Sequence, residues 1–507
     1  MRTIHGPSLT VNLRRALILG ATGAAFAGHA SGAGDGWKLT PSIGLEQVYN
    51  SNQNGPQSNN EPDVVSQFTP GLHITGDTPH ATVDFNYSPT FNHFEMGTSQ
   101  DRVDQSQSAQ IVITPVANHL MIDLDTYAVQ MGGRANSTSG LNGTLTTTDD
   151  RLLYYVGTLA PHFTERFGDV ASVDAYYRLK STNTSDESSR TAGGPSRSED
   201  SLQNEAEAII GSGESFGRLS AQLNFSHNSG LGSGENTQTT NDSDYLSLEY
   251  HINRTYSLTG SLGYQRIHYD ATLEAAPYTN EGMTWNAGAR FTPNPSDSVE
   301  ISYGLQQGAY VPTLKMTYAL GPRTLVTASY VTKVQTQLQA ISDSLQFLTF
   351  DPSGRPIDSR TGLPFVGVNS IFGSQNALFR DKPLLLSVNH QFVRSAITAT
   401  FTYETRSAVT GLPAKDTAIG GAISYTRELT PVLNCNVDFE FTDHKSTGAV
   451  GFGAEHAKVI NTSVLLEYRL SDTATAKLAG TYLRRSSSIP ANNSTTTQVS
   501  VGVKKEF

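Results

Sequence analysis

The feature that most constrains this chain is a two-residue alternation of apolar and polar side chains. In residues 81–91 every odd position is apolar or aromatic and every even position is polar. Successive side chains of a β-strand point to opposite faces, so this segment predicts a strand with one apolar and one polar face. The same alternation recurs along the chain, in residues 283–291, 299–305, 314–320, 397–403, 433–441 and 460–470.

The connections between these segments alternate in length, which indicates what the apolar faces contact. Short connections are rich in Gly, Pro, Asn and Asp, as tight turns require, and include 76–80, 114–119, 253–255, 292–297, 321–323, 429–431 and 471–473. Long polar connections fall between them, at 50–62, 94–104, 131–150, 180–200, 228–243, 270–281, 336–381, 443–456 and 485–496. This arrangement is typical of a transmembrane β-barrel. Two connections depart from it: 160–169 is long for a turn, and 308–312 is short for a loop.

The sequence therefore predicts an all-β fold, a single closed antiparallel transmembrane β-barrel of about 22 strands, with a range of roughly 18–22. Short turns are expected on the periplasmic side and long loops on the extracellular side. The sheet must close because lipid offers no hydrogen-bond partner to an open strand edge. The odd positions of residues 81–91 are then expected to face acyl chains. Pro89 donates no ladder hydrogen bond and is expected near the outer rim.

The N-terminal residues predict export. Three positive charges, Arg2, Arg14 and Arg15, precede the apolar run 16–27, and small residues follow it. This order is that of a secretory signal peptide. We interpret residues 1–32 as the signal peptide, with cleavage after Ala27 or Gly32, and expect the protein in the bacterial outer membrane.

The barrel is expected to occupy residues 37–507. Strand pattern begins near Trp37, which leaves no room for an N-terminal plug, a globular unit of about a hundred residues. No other apolar run is long enough for a membrane-spanning helix. The single cysteine, Cys435, excludes an intrachain disulfide, so backbone pairing and packing alone must close the fold.

Charge excludes one class of partner. Charged residues make up 16% of the chain, well below the roughly 25% of an average soluble domain. The formal net charge is -11, and it becomes -14 without the signal peptide, which carries three Arg and no acid. Nucleic-acid binding requires a basic face, so this partner is not expected.

The C-terminal residues VSVGVKKEF resemble the assembly signal of bacterial outer-membrane proteins. Ser500, Gly502 and the terminal Phe507 match that pattern. Lys505 stands where a hydrophobic residue is expected, which is a departure. The resemblance implies recognition by the barrel assembly machinery.

Two N-terminal stretches, 39–52 and 62–91, resemble the opening of an outer-membrane β-barrel porin family. That family is associated with exopolysaccharide and exosortase (PEP-CTERM) loci of Gram-negative bacteria. The shared features are the Tyr49-Asn50 end of the first strand, then Asp63 and the sequence Thr69-Pro70-Gly71-Leu72. The resemblance implies an outer-membrane barrel linked to polysaccharide export, and it supplies no catalytic residues.

Few residues suggest catalysis or metal binding. Residues 213–217 (GESFG) match the G-x-S-x-G nucleophile pattern, but a strand pattern follows them where the nucleophile elbow needs a helix. The 13 His residues show no metal-ligand spacing. The pairs Asp123/Asp125 and Asp242/Asp244 lie in no recognised calcium loop. We expect no catalytic site, metal or cofactor.

The connection 336–381 is too long for a simple loop. Leu338, Ile341, Leu345 and Leu348 follow helical spacing and need an apolar surface on which to pack. We hypothesise that this segment folds into or across the barrel and narrows the lumen. The alternative is a lid packed outside.

The leading functional hypothesis is a passive outer-membrane channel for polar solutes, linked to exopolysaccharide export. The alternatives are an outer-membrane enzyme acting on lipid or polysaccharide, a structural or adhesive barrel with a blocked lumen, and a soluble secreted β-protein. The acidic balance predicts a mild preference for cations at low salt. The expected partners are outer-membrane lipid, lipopolysaccharide, the assembly machinery and polysaccharide.

Overall fold

A computed structural model describes residues 36–53, 61–132, 151–186, 200–232, 239–270, 277–350, 356–359, 378–409, 415–447 and 454–507. The predicted signal peptide and both of its cleavage sites lie outside the described residues, as do parts of most long connections. Nearly all described residues belong to β-strands.

The elements follow one another along the chain with short breaks. The strands of the first half are Trp37–Asn50 (β1), Asp63–Thr78 (β2), Ala81–Tyr87 (β3), Thr90–Phe94 (β4), Arg102–Asp104 (β5), Gln107–Val116 (β6), Leu120–Gly132 (β7), Arg151–Phe167 (β8), Ala171–Asp186 (β9), Asp200–Ser212 (β10), Leu219–Gly232 (β11), Thr239–His251 (β12) and Tyr256–Tyr269 (β13). Those of the second half are Tyr278–Asn294 (β14), Asp297–Gln306 (β15), Ala309–Ala319 (β16), Thr324–Tyr330 (β17), Lys333–Thr336 (β18), Leu348–Phe350 (β19), Pro356–Asp358 (β20), Leu378–Gln391 (β21), Ser395–Ala408 (β22), Lys415–Thr430 (β23), Leu433–Ser446 (β24), Glu455–Ser471 (β25), Ala474–Ser487 (β26) and Ser494–Glu506 (β27). The helices are Gln337–Leu345 (α1) and the 3₁₀ turns Glu214–Phe216 and Pro490–Asn492.

The strands form a closed barrel. Every strand except β19 and β20, which form a separate hairpin, belongs to one sheet of antiparallel neighbours. The first and last strands join, from Ser42 paired with Glu506 to Asn50 paired with Gln498. The sheet has 25 strand segments, but three barrel strands (β3/β4, β5/β6 and β17/β18) are each interrupted for two residues, so the barrel has 22 strands. The predicted closed antiparallel barrel is confirmed.

Pro89 explains the first interruption. It has no N–H to donate, and the ladder is broken at residues 88–89, between β3 and β4. The two parts keep the same register on β2, where Leu72 pairs with Tyr87 and Phe68 pairs with Phe91. Pro89 therefore interrupts hydrogen bonding without turning any side chain to the other face.

Turn lengths alternate as predicted, with one correction and one exception that the sequence also predicts. The sequence predicts a long connection at 160–169, but β8 continues to Phe167 and only 168–170 join it to β9. On the long-loop side, β15 and β16 are joined by Gln307 and Gly308 alone, with φ of 49° and 73°. Two consecutive positive φ angles are those of a type I′ hairpin turn, which favours Gly at its second position.

The outer face of the barrel is apolar. Large apolar side chains are exposed along one face of successive strands, for example Leu39 and Leu45 on β1 and Val501 on β27. Such a continuous exposed surface is that of a wall in contact with lipid. No helix in the described part of the chain is long and apolar enough to cross a membrane. The chain is a bacterial outer-membrane β-barrel.

The strand of residues 81–91 shows how exposure varies on this face. Phe91 is 45% exposed, and its ring centroid lies 6.0 Å from that of Phe68. Val83 is on the same face but is only 5% exposed, and its register partners are Gly76 and Ile111, of which Ile111 is itself 1% exposed. Position on the apolar face therefore does not by itself give contact with lipid.

Candidate functional site in the barrel lumen

The inner face of the barrel is polar. Each strand that presents apolar residues outward presents the alternate residues to the lumen. On β22, Phe401 is 43% exposed on the outer face, and the alternate residues Thr398, Thr400 and Thr402 lie on the inner face. The lumen is therefore where polar groups converge, and it is the candidate functional site.

Helix α1 begins where β18 ends. Thr336 caps it, since the backbone N–H of Gln339 donates to the Thr336 hydroxyl (3.2 Å) and the backbone N–H of Thr336 donates to Gln339 Oε1 (2.8 Å). This reciprocal pair is a capping box, which fixes the first turn of the helix. The direction in which α1 leaves the wall is thus set by two residues of the connection.

The apolar face of α1 packs against the far side of the barrel. One cluster of buried side chains joins α1 and β19 to β7 and β8, and consists of Tyr127, Val129, Tyr154, Val156, Ile341, Leu345 and Leu348. In the strand order, β7 and β8 lie about halfway around the barrel from β18. The chain therefore crosses from one wall to the opposite one. We call this cluster the α1 seat.

The α1 seat is on the inner face. Tyr127 pairs with Val156 and Val129 pairs with Tyr154, so these four side chains share one face of β7 and β8. Leu159 of β8 alternates with them and is 39% exposed on the outer face. Helix α1 and β19 therefore lie against the inner face of β7 and β8 rather than on the lipid-facing surface.

One carboxylate connects the two walls. Asp343 of α1 accepts from Lys180 Nζ of β9 at 3.0 Å and lies 3.4 Å from Lys333 Nζ of β18. Lys180 adjoins the α1 seat, whereas Lys333 belongs to the wall from which α1 departs. A partly exposed ion pair contributes about 0–1 kcal/mol, so the apolar contacts supply most of the docking energy, roughly 1.5–3 kcal/mol for each buried Leu or Ile.

The sequence-predicted residues of this segment fall as follows. Ile341, Leu345 and Leu348 come together in the α1 seat, but the predicted helical spacing ends early, because α1 stops at Leu345 and Leu348 belongs to β19. Leu338 lies in the helix, but its side chain is outside the described part of the structure. Sequence reasoning missed the receiving residues, although Tyr127 and Val129 share a face with Asp123 and Asp125. Large apolar residues on an otherwise polar inner face indicate that something packs there.

An open cavity occupies the wall from β9 to β16. Its volume is about 630 Å³. Hydroxyl and amide side chains dominate its lining, among them Ser220, Gln222, Ser243, Ser261, Asn286 and Gln306. Hydroxyls and amides both donate and accept hydrogen bonds, so this surface suits a neutral polar solute.

A charge ladder crosses the same wall. Arg290 of β14 contacts Glu249 of β12 and lies 2.8 Å from Glu300 of β15. Lys315 of β16 pairs in register with Glu300. Positive and negative charges thus alternate and balance along the ladder, and Asp174 adds one further carboxylate to the lining of the cavity.

Buried ion pairs fill the lumen side of β21 to β26. Arg406 Nε donates to Asp381 at 3.0 Å, and the two side chains are 1% and 4% exposed. Arg406 also lies 5.0 Å from the ring centroid of Phe379. Arg485 and Glu455 form a second pair at 2.8 Å. The charged side chains on this side are more buried than those of the ladder around Arg290.

The other sequence candidates do not come together with these groups. Ser215 lies in the 3₁₀ turn between β10 and β11, and β11 follows without the helix of a nucleophile elbow. Asp242 contacts His227 on the outer face, whereas Asp123 and Asp125 face the lumen. The described residues contain no group of three or more side chains suited to hold a metal.

The assembly-signal residues lie at the closing seam. Ser500 pairs with Val48 and Gly502 with Glu46, and the Phe507 N–H donates to the Pro41 carbonyl at 2.9 Å. Lys505 donates from Nζ to Thr473 at 2.7 Å. Recognition takes place before the barrel closes, so the assembly signal stays a prediction.

No protein-family model and no curated protein sequence matches this chain. Solved structures do resemble it, at low identity. The FrpB iron transporter from Neisseria meningitidis (apoprotein form) is 13% identical with a TM-score of 0.52, and the match covers 94% of this chain and 82% of that one. The siderophore receptor PiuA from Acinetobacter baumannii is 11% identical with a TM-score of 0.50, covering 93% and 82%. The ferric-catecholate import receptor Fiu from E. coli K12 is 10% identical with a TM-score of 0.50, covering 92% and 81%. These similarities show the fold alone.

Proposed function

We propose that this protein is an outer-membrane channel that passes polar solutes through a lumen narrowed by the segment that begins with α1. The observation that carries the proposal is the contrast within one lumen. A polar cavity of about 630 Å³ lies on one wall, and α1 is docked on the wall beside it through the α1 seat. A pore that is polar but partly filled favours selective passage over free diffusion.

The proposed solutes are neutral and rich in hydroxyl groups. Support comes from the lining of the cavity, where Ser, Asn and Gln side chains outnumber charged ones, and from the balanced ladder around Arg290. Saccharides have this chemistry. The link to exopolysaccharide export rests on residues 39–52 and 62–91. These residues resemble the porin family that is associated with exopolysaccharide and exosortase loci.

Planar-bilayer recording of the purified full chain tests the proposal. We expect discrete conductance steps, and we expect a neutral oligosaccharide to reduce the current in a concentration-dependent manner. A mild cation preference should show in the reversal potential at low salt and fade as salt screens the fixed charges. A chain that inserts as a folded barrel but conducts no ions would contradict the channel and favour a structural barrel.

A second candidate is receptor-type uptake of an iron chelate. The observation that favours it is the likeness in fold to structures named as iron transporters and siderophore receptors. Binding of a ferric catecholate to the detergent-solubilised chain separates the two. Saturable binding at low concentration supports this candidate, and absence of binding together with ion conductance supports the channel.

A further inference from the structure

The extracellular edge of the outer surface carries a basic patch between β23 and β26. We call it the β23–β26 rim, and it consists of Lys415, Lys445, His456, Lys458 and Arg484. Strand alternation places these side chains outward. Lys445 shares a face of β24 with Phe439, and Arg484 shares a face of β26 with Tyr482, where both aromatic residues are more than 40% exposed.

The strand register brings these side chains together. Lys445 pairs with His456 across β24 and β25. Arg484 pairs with Ile460, two residues from Lys458 on the same face of β25. Directly paired side chains lie about 5 Å apart and diagonal ones about 7–8 Å. Four strands span about 14 Å at the usual spacing, the size of a lipid headgroup rather than of a protein partner.

The positive charge of the rim is largely uncompensated. Asp443 is the acidic residue within it, and it contacts His456 Nε2 at 2.7 Å and Lys458 Nζ at 3.8 Å. In the described ranges, no carboxylate pairs with Lys415, Lys445 or Arg484. The connections of this sector contain no charged residue in the sequence, at 409–414, 447–454 and 488–493. This excess of cations stands in a chain whose formal net charge is -11.

The rim lies where the apolar wall ends. On the same outward faces, the next residues toward the periplasm are Phe441, Ile460 and Tyr482. The outer surface of β11 to β14 differs from the β23–β26 rim. There Arg266 pairs with Glu281 at 3.2 Å, and His227 pairs with Asp242. Cations are therefore left available in one sector and neutralised in the other.

We infer that the β23–β26 rim binds the phosphorylated headgroup of lipopolysaccharide in the outer leaflet. Clusters of Lys and Arg at the edge of an apolar surface attract anionic lipid headgroups, and their N–H groups form charge-assisted hydrogen bonds with phosphate oxygens. The acyl chains of the same molecule would lie on the apolar wall below Arg484. This inference does not depend on what passes through the lumen.

The test compares a charge-neutralised rim with a matched control. The full chain, refolded in detergent micelles, is titrated with lipopolysaccharide that carries both of its lipid phosphates. The triple variant Lys445→Gln, Lys458→Gln, Arg484→Gln is expected to bind roughly a hundredfold more weakly. Arg266→Gln removes a cation that already has a carboxylate partner, and it is expected to change the affinity less than twofold.

Two results would overturn the inference. One is binding by the triple variant within twofold of the original chain. The other is equal binding of lipopolysaccharide from which the phosphates have been removed. Retention of the compact, unheated form on a denaturing gel verifies that each variant is folded. If the triple variant fails to fold, Arg484→Gln alone is measured, with an expected loss of roughly fivefold, and an unchanged affinity then counts against the site.

Discussion

The two inner walls of this barrel, β7–β9 and β10–β16, arise from the same alternation of residues but are used differently. On β7 and β8, Tyr127 and Val156 interrupt the polar inner face and receive the apolar side of α1. On β10 to β16 the inner face stays polar and leaves a cavity of about 630 Å³. A few apolar residues on an inner face thus determine which inner wall receives α1 and which keeps a polar cavity.

The largest expected effect comes from removing α1 and the rest of the connection that follows it. Replacement of residues 337–377 by a short Gly/Ser linker should raise single-channel conductance several-fold, because the covered wall then opens to water. The barrel strands are untouched, so the compact form on an unheated gel should persist. Unchanged conductance in planar bilayers would show that the segment does not narrow the pore.

A single substitution in the α1 seat should have a smaller effect of the same kind. Leu345→Asp places a carboxylate among buried apolar side chains, since Leu345 is 0% exposed, and burial of an unpaired charge costs several kcal/mol. We expect α1 to undock and the current to fluctuate between two levels. The control is Gln346→Asp, one residue further and exposed, which should leave the current steady.

Changing a charge on the cavity wall, β10–β16, should alter the ion selectivity of the current without making the current fluctuate. Arg290→Gln removes the cation that lies between Glu249 and Glu300, and the two carboxylates then face the cavity without it. The reversal potential in a salt gradient should shift toward cations. Loss of steady current in this variant, without a shift in selectivity, would mean that the two walls are not functionally separate.

The smallest expected effect is at the carboxylate that connects the walls. Asp343→Asn abolishes the charge that meets Lys180 and Lys333. A partly exposed ion pair contributes about 0–1 kcal/mol, so the fraction of time spent in the narrow level should fall by fivefold at most. A change as large as that of Leu345→Asp would show that charge, and not apolar packing, holds α1.

The fold was predictable because the membrane constrains both faces of each strand. Where one face contacts lipid and the other water, as on β22 and β25, the alternation marks the strand clearly. Where both faces of a strand contact water, the sequence shows no alternation of apolar and polar residues. The sequence predicts a long connection from residue 180 onward, yet β9 continues to Asp186 through backbone pairing with β8. Strand ends beyond the bilayer are therefore set by hydrogen bonds that leave no hydrophobic pattern.

The candidate site was predictable only in part. The helical spacing of Ile341 and Leu345 is local and identifies the apolar face of α1, whereas Leu348 continues the spacing in sequence but lies in β19. Its partners Tyr127 and Val129 are about two hundred residues away in the chain, a separation that no local pattern bridges. Because they are large apolar residues on an otherwise polar inner face, they indicate that some segment packs on them. They do not identify that segment.

The most direct test of the lumen crossing is cross-linking in intact outer membranes, in a Cys435→Ser background. The pair Asp343→Cys and Lys180→Cys should be joined by a short bismaleimide, because these side chains meet inside the barrel. The pair Asp343→Cys and Leu179→Cys should not react, since Leu179 pairs with Leu159 on the outer face. Efficient cross-linking to position 179 with none to position 180 would place α1 outside the lumen and contradict the account.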